Sequence, residues 1–167
     1  MSVDRPKIRA VFDCMVFLQG AARRESPSGA CLLLVELDAI ELSVSQEIMA
    51  EVRDVLARPR VRKKFPALTD PMVVRFLAAL EERTAVVSNV PRVFQFERDP
   101  KDEPYINLAI ASKVSYLVSR DNDILDLADA STPDGERLRN QAPDLRILDP
   151  VAFLVEIRRT LTAPAGE

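Results

Sequence analysis

The segment 98–123 constrains the fold more than any other part of the chain. Its sequence, RDPKDEPYINLAIASKVSYLVSRDND, predicts an acidic loop, a helix, a buried strand and a second acidic loop. Pro104 fits only the first turn of a helix, where its missing N–H costs no hydrogen bond, so the helix is expected to begin near Asp102 or Glu103. The short apolar run 116–118, bounded by polar residues, is typical of a buried strand in a parallel sheet.

The two acidic ends of this segment are expected at the same edge of the sheet. Asp102 lies at the start of the helix, and Asp121 lies just past the end of the strand. In open parallel sheets, functional sites form at the carboxyl ends of the strands. The segment therefore predicts a site that contains both carboxylates.

The rest of the chain alternates between strand and helix patterns. Strands are predicted over 8–12, 40–44, 84–87 and 145–148, and helices over 30–38, 45–56, from 69 onwards and over 150–158. This alternation predicts an α/β fold, a three-layer sandwich with a parallel five-stranded sheet between helices. We expect one domain over 1–167 with its core at about 8–158, a mobile loop at about 129–144 and a C-terminal tail at about 160–167.

Composition excludes several classes of protein. A net charge of -3 argues against a protein that coats nucleic acid non-specifically, and two cysteines are too few for a disulfide scaffold. The N-terminus lacks the apolar core of a signal peptide, and the longest apolar run, 30–35, is too short to cross a bilayer. We therefore expect a soluble cytoplasmic protein without a membrane partner.

The absence of histidine narrows the chemistry further. It removes Ser-His-Asp and Cys-His mechanisms and the commonest zinc ligand. The glycines form neither a dinucleotide-binding fingerprint nor a phosphate-binding P-loop. An enzyme of this composition would have to use carboxylates, a metal ion or lysine.

Two further acids are candidates for the site. Asp13 directly follows the first buried strand, where a charge is costly unless it is paired or liganded, although a helix N-cap would also account for it. Glu51 lies at the border of the apolar face of the helix 45–56 and has no oppositely charged neighbour four residues away. Asp54 has Arg58 four residues on, as expected of an ordinary surface charge.

The remaining acids occur in pairs. Asp99 and Asp102 flank a Pro-Lys dipeptide, and we interpret Asp99 as a cap; Asp121 and Asp123 flank an asparagine, which is also ordinary turn chemistry. Asp13, Asp102 and Asp121 all map to one edge of the sheet, where crowded carboxylates repel one another. Mg²⁺ or Mn²⁺, which prefer oxygen ligands, would relieve that repulsion and could support phosphodiester hydrolysis.

Several segments of the chain resemble the PIN-domain family, in particular the VapC-like toxins of bacterial toxin–antitoxin systems. The matching segments are AVFDCMVFLQG, LSVSQEIMAEVRDVLARP, RDPKDEPYINLAIASKVSYLVSRDNDILDL and LRILDPVAFL, which extend over about residues 8–155. The resemblance implies a parallel five-stranded sheet with helices on both sides and Mg²⁺- or Mn²⁺-dependent cleavage of RNA. It also implies a possible homodimer and a cognate antitoxin protein as partners.

The resemblance implies roles for particular residues. The catalytic and metal-binding acids would be Asp13, Glu51, Asp102 and Asp121, with Asp123 as a further metal ligand. Ser119 matches a family Ser/Thr near the site and is a candidate for binding RNA. Apart from the resemblance, the basic side chains Lys101, Arg58 and Arg60, the last two from a basic cluster at 58–64, could hold RNA phosphates, and a solvated basic loop is the equally supported alternative.

One position departs from the family pattern. Met15 replaces the asparagine that usually follows the first aspartate by two residues and orients it by hydrogen bonding. Methionine cannot donate this hydrogen bond, and a catalytically weak or degenerate domain that binds RNA or a protein is the alternative function. A phosphatase or phospho-receiver with Asp13 as nucleophile is a second alternative, but the first strand lacks the second acid of an Asp-x-Asp motif, and Glu51 would have no role.

Overall fold

A computed structural model describes residues 7–163 and contains a five-stranded parallel sheet with helices on both faces, as predicted. The strands are β1 (Ile8–Phe12), β2 (Ile40–Ser45), β3 (Ala85–Val87), β4 (Tyr116–Val118) and β5 (Arg146–Leu148). Their order across the sheet is β3-β2-β1-β4-β5. The strands lie within a residue of their predicted positions.

The centre of the sheet is β1, which pairs with β2 on one side and β4 on the other. Ala10 aligns with Leu42 of β2 and with Tyr116 of β4. Because β1 and β4 are parallel and Phe12 aligns with Val118, the carboxyl ends of the two strands lie side by side and the residues that follow them meet. This is where the sequence predicts the site.

The helices have defined start signals in the sequence. They are α1 (Cys14–Ala22), α2 (Pro27–Glu36), α3 (Gln46–Ala57), α4 (Pro59–Lys64), α5 (Asp70–Arg83), α6 (Glu103–Ala111), α7 (Asn122–Leu125), α8 (Pro133–Gln141) and α9 (Pro150–Thr162). Side chains of Asp13, Ser26, Ser45 and Thr69 accept hydrogen bonds from the first turns of α1, α2, α3 and α5. Short 3₁₀ turns occupy 100–102 and 126–128.

The core fills both faces of the sheet with apolar side chains. Fully buried residues include Phe12, Phe17 and Phe153, whose rings contact one another at centroid distances of 6.0 Å for Phe12–Phe17 and 5.9 Å for Phe12–Phe153. These contacts join β1, α1 and α9. The site at the end of β1 therefore rests on a rigidly packed strand.

The prediction of a loop over 129–144 is wrong, because this segment contains α8. Thr132 accepts a hydrogen bond from the Gly135 N–H at 3.1 Å, and Pro133 occupies the first turn, where proline favours helix initiation. Gly135 is required here, since a Cβ at this position would lie 2.0 Å from the carbonyl oxygen of Asp129. The helix shows no apolar periodicity in the sequence, because Leu138 is its one large buried side chain.

Other helix boundaries also differ from the predictions. The second helix covers Pro27–Glu36 instead of 30–38, and α9 continues to Thr162 instead of ending at about 158. The predicted tail therefore overlaps a helix as far as 162, and its last residues, 164–167, lie outside the described residues.

An extended segment over 88–97 connects β3 to the acidic turn before α6 and is fixed by a buried asparagine. The side-chain oxygen of Asn107 accepts from the N–H groups of Val93 and Phe94 at 3.0 and 2.9 Å, and its amide nitrogen donates to the Phe94 carbonyl at 3.1 Å. Glu103 accepts from the Phe96 N–H at 2.9 Å. The loop that leads into the site is thus attached to α6 itself.

Among residues 7–163, no helix combines the length and the apolar character needed to cross a bilayer.

Candidate metal and active site

Asp13 occupies the junction between the two central strands. It follows β1 directly, and its backbone N–H donates to the Val118 carbonyl of β4 at 3.0 Å. One carboxylate oxygen accepts from the Val16 N–H at 3.1 Å, which caps α1. Asp13 is therefore the N-cap of α1, but this role uses only one of its two carboxylate oxygens.

The second oxygen of Asp13 faces β4. It accepts from the hydroxyl of buried Ser119 and from the Arg120 N–H at 3.3 Å. The Ser119 oxygen in turn accepts from the Asp121 N–H at 2.9 Å. Burial raises the pKa of Asp13 above its usual value, while the Ser119 hydrogen bond opposes that shift.

Met15 plays no part in holding this carboxylate. Its side chain is 42% exposed, and Asp13 is oriented by donors from Val16, Ser119 and Arg120. Asp13 is therefore held in place although methionine cannot donate a hydrogen bond to it. The hydroxyl of Ser119, the residue directly after β4, supplies the side-chain hydrogen bond to this carboxylate.

A cluster of carboxylates, here called the acidic cluster, lies beside Asp13. It consists of Asp99, Asp102, Asp121 and Asp123, and one oxygen of each lies within 4.8 Å of the corresponding oxygens of the others. The first two come from the turn before α6, and the last two from the turn that begins α7. The structure thus joins the two acidic loops that the sequence placed at one edge of the sheet.

Asp102 is the most unusual member of this cluster. It is 8% exposed, and its Oδ2 atom is buried without a hydrogen-bond partner. Burial raises its pKa to about 8, and the nearby charges of Asp121 and Asp99 add to the shift. An unpaired buried carboxylate oxygen among like charges is unfavourable on its own and is favourable as a cation ligand.

The donor set fits a hard divalent cation. Every candidate ligand in the acidic cluster is a carboxylate oxygen, which suits Mg²⁺ or Mn²⁺ better than soft or nitrogen-preferring metals. Asp102 has an oxygen free to bind, and Asp121 is positioned through its backbone by Ser119. The residues present therefore meet the requirements of such a site.

Glu51 lies near Asp13 but is not a member of the acidic cluster. Its Oε2 accepts a hydrogen bond of 2.9 Å from the hydroxyl of Tyr105, which is 2% exposed and belongs to α6. Burial raises the pKa of the Cys14 thiol to about 12, with Glu51 and Asp13 as the next largest causes. Asp13 and Glu51 therefore both face Cys14, from β1 and α3 respectively.

Asp99 and Asp123 each have a second contact. Asp99 accepts from the Lys101 N–H at 3.1 Å, so it is a cap as predicted, but its carboxylate also reaches the acidic cluster, which the sequence interpretation missed. Asp123 forms an ion pair with Arg98, whose Nε lies 2.6 Å from its Oδ1. No pattern in the sequence indicated this pair, because loop geometry determines it.

The basic residues predicted to hold RNA are exposed and lie on separate elements. Arg58 pairs with exposed Asp54 at 2.8 Å, as the spacing predicted, and its charge also reaches the Cys14 thiol. Arg60 is exposed on α4, and Lys101 is exposed in the turn between two members of the acidic cluster. Their roles in binding remain predictions.

Comparison with known proteins agrees with this architecture. A sequence profile described as the PIN domain matches residues 9–123, from β1 to the last member of the acidic cluster. No curated protein sequence matches significantly. Among solved structures, the chain is similar to PAE2754 from Pyrobaculum aerophilum, with a TM-score of 0.54, 16% identity and coverage of 90% of each chain. At that identity the likeness bears on the fold alone.

Proposed function

This chain belongs to the PIN-domain family, whose members are generally nucleases, and on that premise we propose that it is a metal-dependent endoribonuclease. The observation that carries the proposal is the buried, unpartnered Oδ2 of Asp102 inside the acidic cluster. A purely structural carboxylate would be expected to have a donor there.

The acidic cluster and Asp13 would hold Mg²⁺ or Mn²⁺. Asp102, Asp121 and Asp99 offer oxygens that are close together, and Asp123 is a further ligand candidate. When bound, such an ion stabilises the charge that develops on a phosphodiester and lowers the pKa of water, so that hydrolysis proceeds without histidine. Asp13 and Glu51 complete the set of catalytic acids.

The surrounding residues maintain the geometry of these acids. Ser119 joins Asp13 to the backbone of Asp121, so that two acids from neighbouring strands are held at a fixed spacing. Tyr105 fixes Glu51 through its hydroxyl. Losing a residue that holds a metal ligand in position typically lowers metal affinity or activity by about 10–100-fold.

RNA would approach across the exposed basic side chains at the rim. Lys101 lies within the acidic turn, and Arg58 and Arg60 lie at the end of α3 and in α4. Phosphate contacts from such residues give affinity that does not depend on sequence and falls with salt. On the basis of its VapC-like segments, we also propose that the chain acts in the cytoplasm as the toxin of a toxin–antitoxin pair and that it forms a homodimer.

The experiment that tests the enzyme proposal is cleavage of single-stranded RNA by purified protein with Mn²⁺, with excess EDTA, and with Mn²⁺ restored. Cleavage that stops in EDTA and returns with Mn²⁺ supports the proposal. RNA binding without cleavage under any of these conditions would support the degenerate, binding-only alternative.

The toxin proposal needs a separate test in cells. Induced expression of wild type in a bacterial host should arrest growth, and Asp102→Asn should not. Co-expression of a small protein encoded by the neighbouring gene should restore growth if that protein is the antitoxin. Unimpaired growth with abundant folded wild-type protein would contradict a toxin role.

A further inference from the structure

The acidic cluster contains a positive charge supplied by the chain itself. The Arg98 guanidinium contacts two carboxylates, with Nε 2.6 Å from Asp123 Oδ1 and Nη2 2.8 Å from Asp126 Oδ2. Its side chain is 47% exposed, so it lies at the solvent side of the cluster. Charge-assisted contacts from two nitrogens of one guanidinium, each to a different carboxylate, fix its orientation.

The compensation of charge across the cluster is therefore uneven. Asp123 has an arginine partner, whereas Asp102 on the buried side has an oxygen without a hydrogen-bond partner. Asp99 and Asp121 use side-chain oxygens to accept backbone N–H groups of their own turns, from Lys101 and Asp123 respectively. Among these four carboxylates, Asp102 is the one with a buried oxygen that has no hydrogen-bond partner to compensate its negative charge.

We propose that Arg98 is a built-in counter-ion that neutralises Asp123, so that the acidic cluster takes one divalent cation at Asp102 and not two. Two-metal nucleases place their ions about 3.5–4 Å apart and need carboxylates to compensate both. An arginine that already occupies Asp123 opposes the second ion by charge. This inference rests on the proposed function, since it concerns the same site.

The position of Arg98 in the chain gives it a second consequence. It directly precedes Asp99 in the first acidic loop, and Asp123 and Asp126 belong to the second. The ion pairs therefore join the loop before α6 to the loop after β4. Asp126 anchors the guanidinium from outside the acidic cluster, which keeps Arg98 beside Asp123 even when a cation binds at Asp102.

The test is the Mn²⁺ binding isotherm of wild type, Arg98→Gln, Arg98→Lys and Arg146→Gln, measured through the electron paramagnetic resonance of free Mn²⁺. Arg146 is the matched control, because it also pairs with a carboxylate, Glu156, but at the first residue of β5, the end of the sheet opposite the site. Circular dichroism confirms that each variant is folded.

Wild type should bind one Mn²⁺ per chain. Arg98→Gln should bind a second Mn²⁺ or bind the first about tenfold more tightly, the size expected when one unit charge a few ångströms from a divalent ion is removed in a largely aqueous setting. Arg98→Lys keeps the charge and should resemble wild type, as should Arg146→Gln. The difference between Arg98→Gln and wild type should shrink at high salt.

An unchanged or weaker isotherm for folded Arg98→Gln would overturn the counter-ion role, and so would two equivalent Mn²⁺ ions in wild type. Neither result would touch the proposed function, since both require that wild type binds metal. Absence of Mn²⁺ binding in wild type would instead refute the proposed function and this inference together.

Discussion

The Tyr105 hydroxyl donates a hydrogen bond of 2.9 Å to Oε2 of Glu51, which connects α6 to α3 beside the acidic cluster. Burial raises the pKa of Tyr105 above its ordinary value, and the nearby charges of Cys14 and Glu51 add to the shift, so the hydroxyl stays protonated as a donor. Glu51 therefore has a fixed orientation although it lies on a half-buried helical face.

Tyr105→Phe should lower metal-dependent RNA cleavage about tenfold, because it removes the group that orients Glu51 while leaving the ring in place. The loss should appear in kcat more than in KM, since Glu51 does not hold the RNA in this account. Tyr116→Phe is the matched control: its hydroxyl contacts Glu156 at 3.4 Å at the opposite end of the sheet. Equal activity of both variants would show that Tyr105 does not position a catalytic acid.

Ser119→Ala should impair cleavage and metal affinity together. It removes the side-chain donor to one Asp13 oxygen and the acceptor of the Asp121 N–H, so both acids lose a constraint. Because Ser119 is buried, the loss should also reduce the free energy of unfolding by about 1–3 kcal/mol. Calorimetric Mn²⁺ titration and denaturant unfolding measure the two effects separately.

The companion variant is Met15→Asn. Asp13 already has donors from Val16, Ser119 and Arg120, so an asparagine at position 15 should change cleavage little in the wild-type background. It should restore part of the lost activity when combined with Ser119→Ala. A large gain from Met15→Asn alone would show that these three donors leave Asp13 insufficiently oriented.

The metal-free protein should lose stability as pH rises from acidic to mildly alkaline values. In the unfolded chain Asp102 titrates near its usual 3.8, whereas in the folded protein its pKa is about 8, so the folded state holds more protons between these values. The free energy of unfolding therefore falls with rising pH across that window. Each unit of difference between the two pKa values is worth about 1.4 kcal/mol at most.

Thermal unfolding in EDTA over this pH range provides the measurement. Asp102→Asn should flatten the pH profile and raise the melting temperature near neutral pH, because it removes a buried charge and its repulsion by Asp121 and Asp99. Saturating Mn²⁺ should also remove the decline in wild type, since a bound cation favours the ionised carboxylate. The same decline in wild type and Asp102→Asn would exclude Asp102 as its cause.

Asn107→Ala should destabilise the fold by about 2 kcal/mol or more, because it leaves the buried N–H and carbonyl of Phe94 and the partly buried N–H of Val93 without their partners. Gln141→Ala is the control, since Gln141 contacts the same segment through the Val93 carbonyl at 3.2 Å but is exposed. Urea unfolding compares the two. If Asn107→Ala loses no more free energy of unfolding than Gln141→Ala, Asn107 does not hold the segment 88–97 in place.

The sequence predicted the sheet well because its strands are short apolar runs with polar ends. Pro104 located the start of α6, and Ser45 located the start of α3. The prediction failed at α8, where Thr132 and Pro133 are good start signals but the helix buries too little to show an apolar period. The polar composition of 129–144 therefore led to the prediction of a loop, although the N-cap at Thr132 indicates a helix.

The sequence predicted the position of an acid wherever that acid directly follows a strand or precedes a helix that the sequence also predicted. Asp13, Asp102 and Asp121 meet because parallel strands end at one edge. The contribution of Asp99 and the Arg98–Asp123 pair depend on the path of an irregular loop that no periodicity describes. Ser119 was visible as a residue after a strand, but its simultaneous contact with Asp13 and Asp121 requires the register between β1 and β4.

If Asp102 is a metal ligand required for RNA cleavage, replacing its charge should abolish cleavage, and initial rates of three proteins on one RNA measure this. Wild type, Asp102→Asn and the control Asp144→Asn, an exposed carboxylate just before β5, are assayed on the same RNA with Mn²⁺. We expect Asp144→Asn to cleave like wild type and folded Asp102→Asn not to cleave measurably. A fully active Asp102→Asn, or wild-type cleavage that persists in excess EDTA, would contradict the carboxylate–metal mechanism.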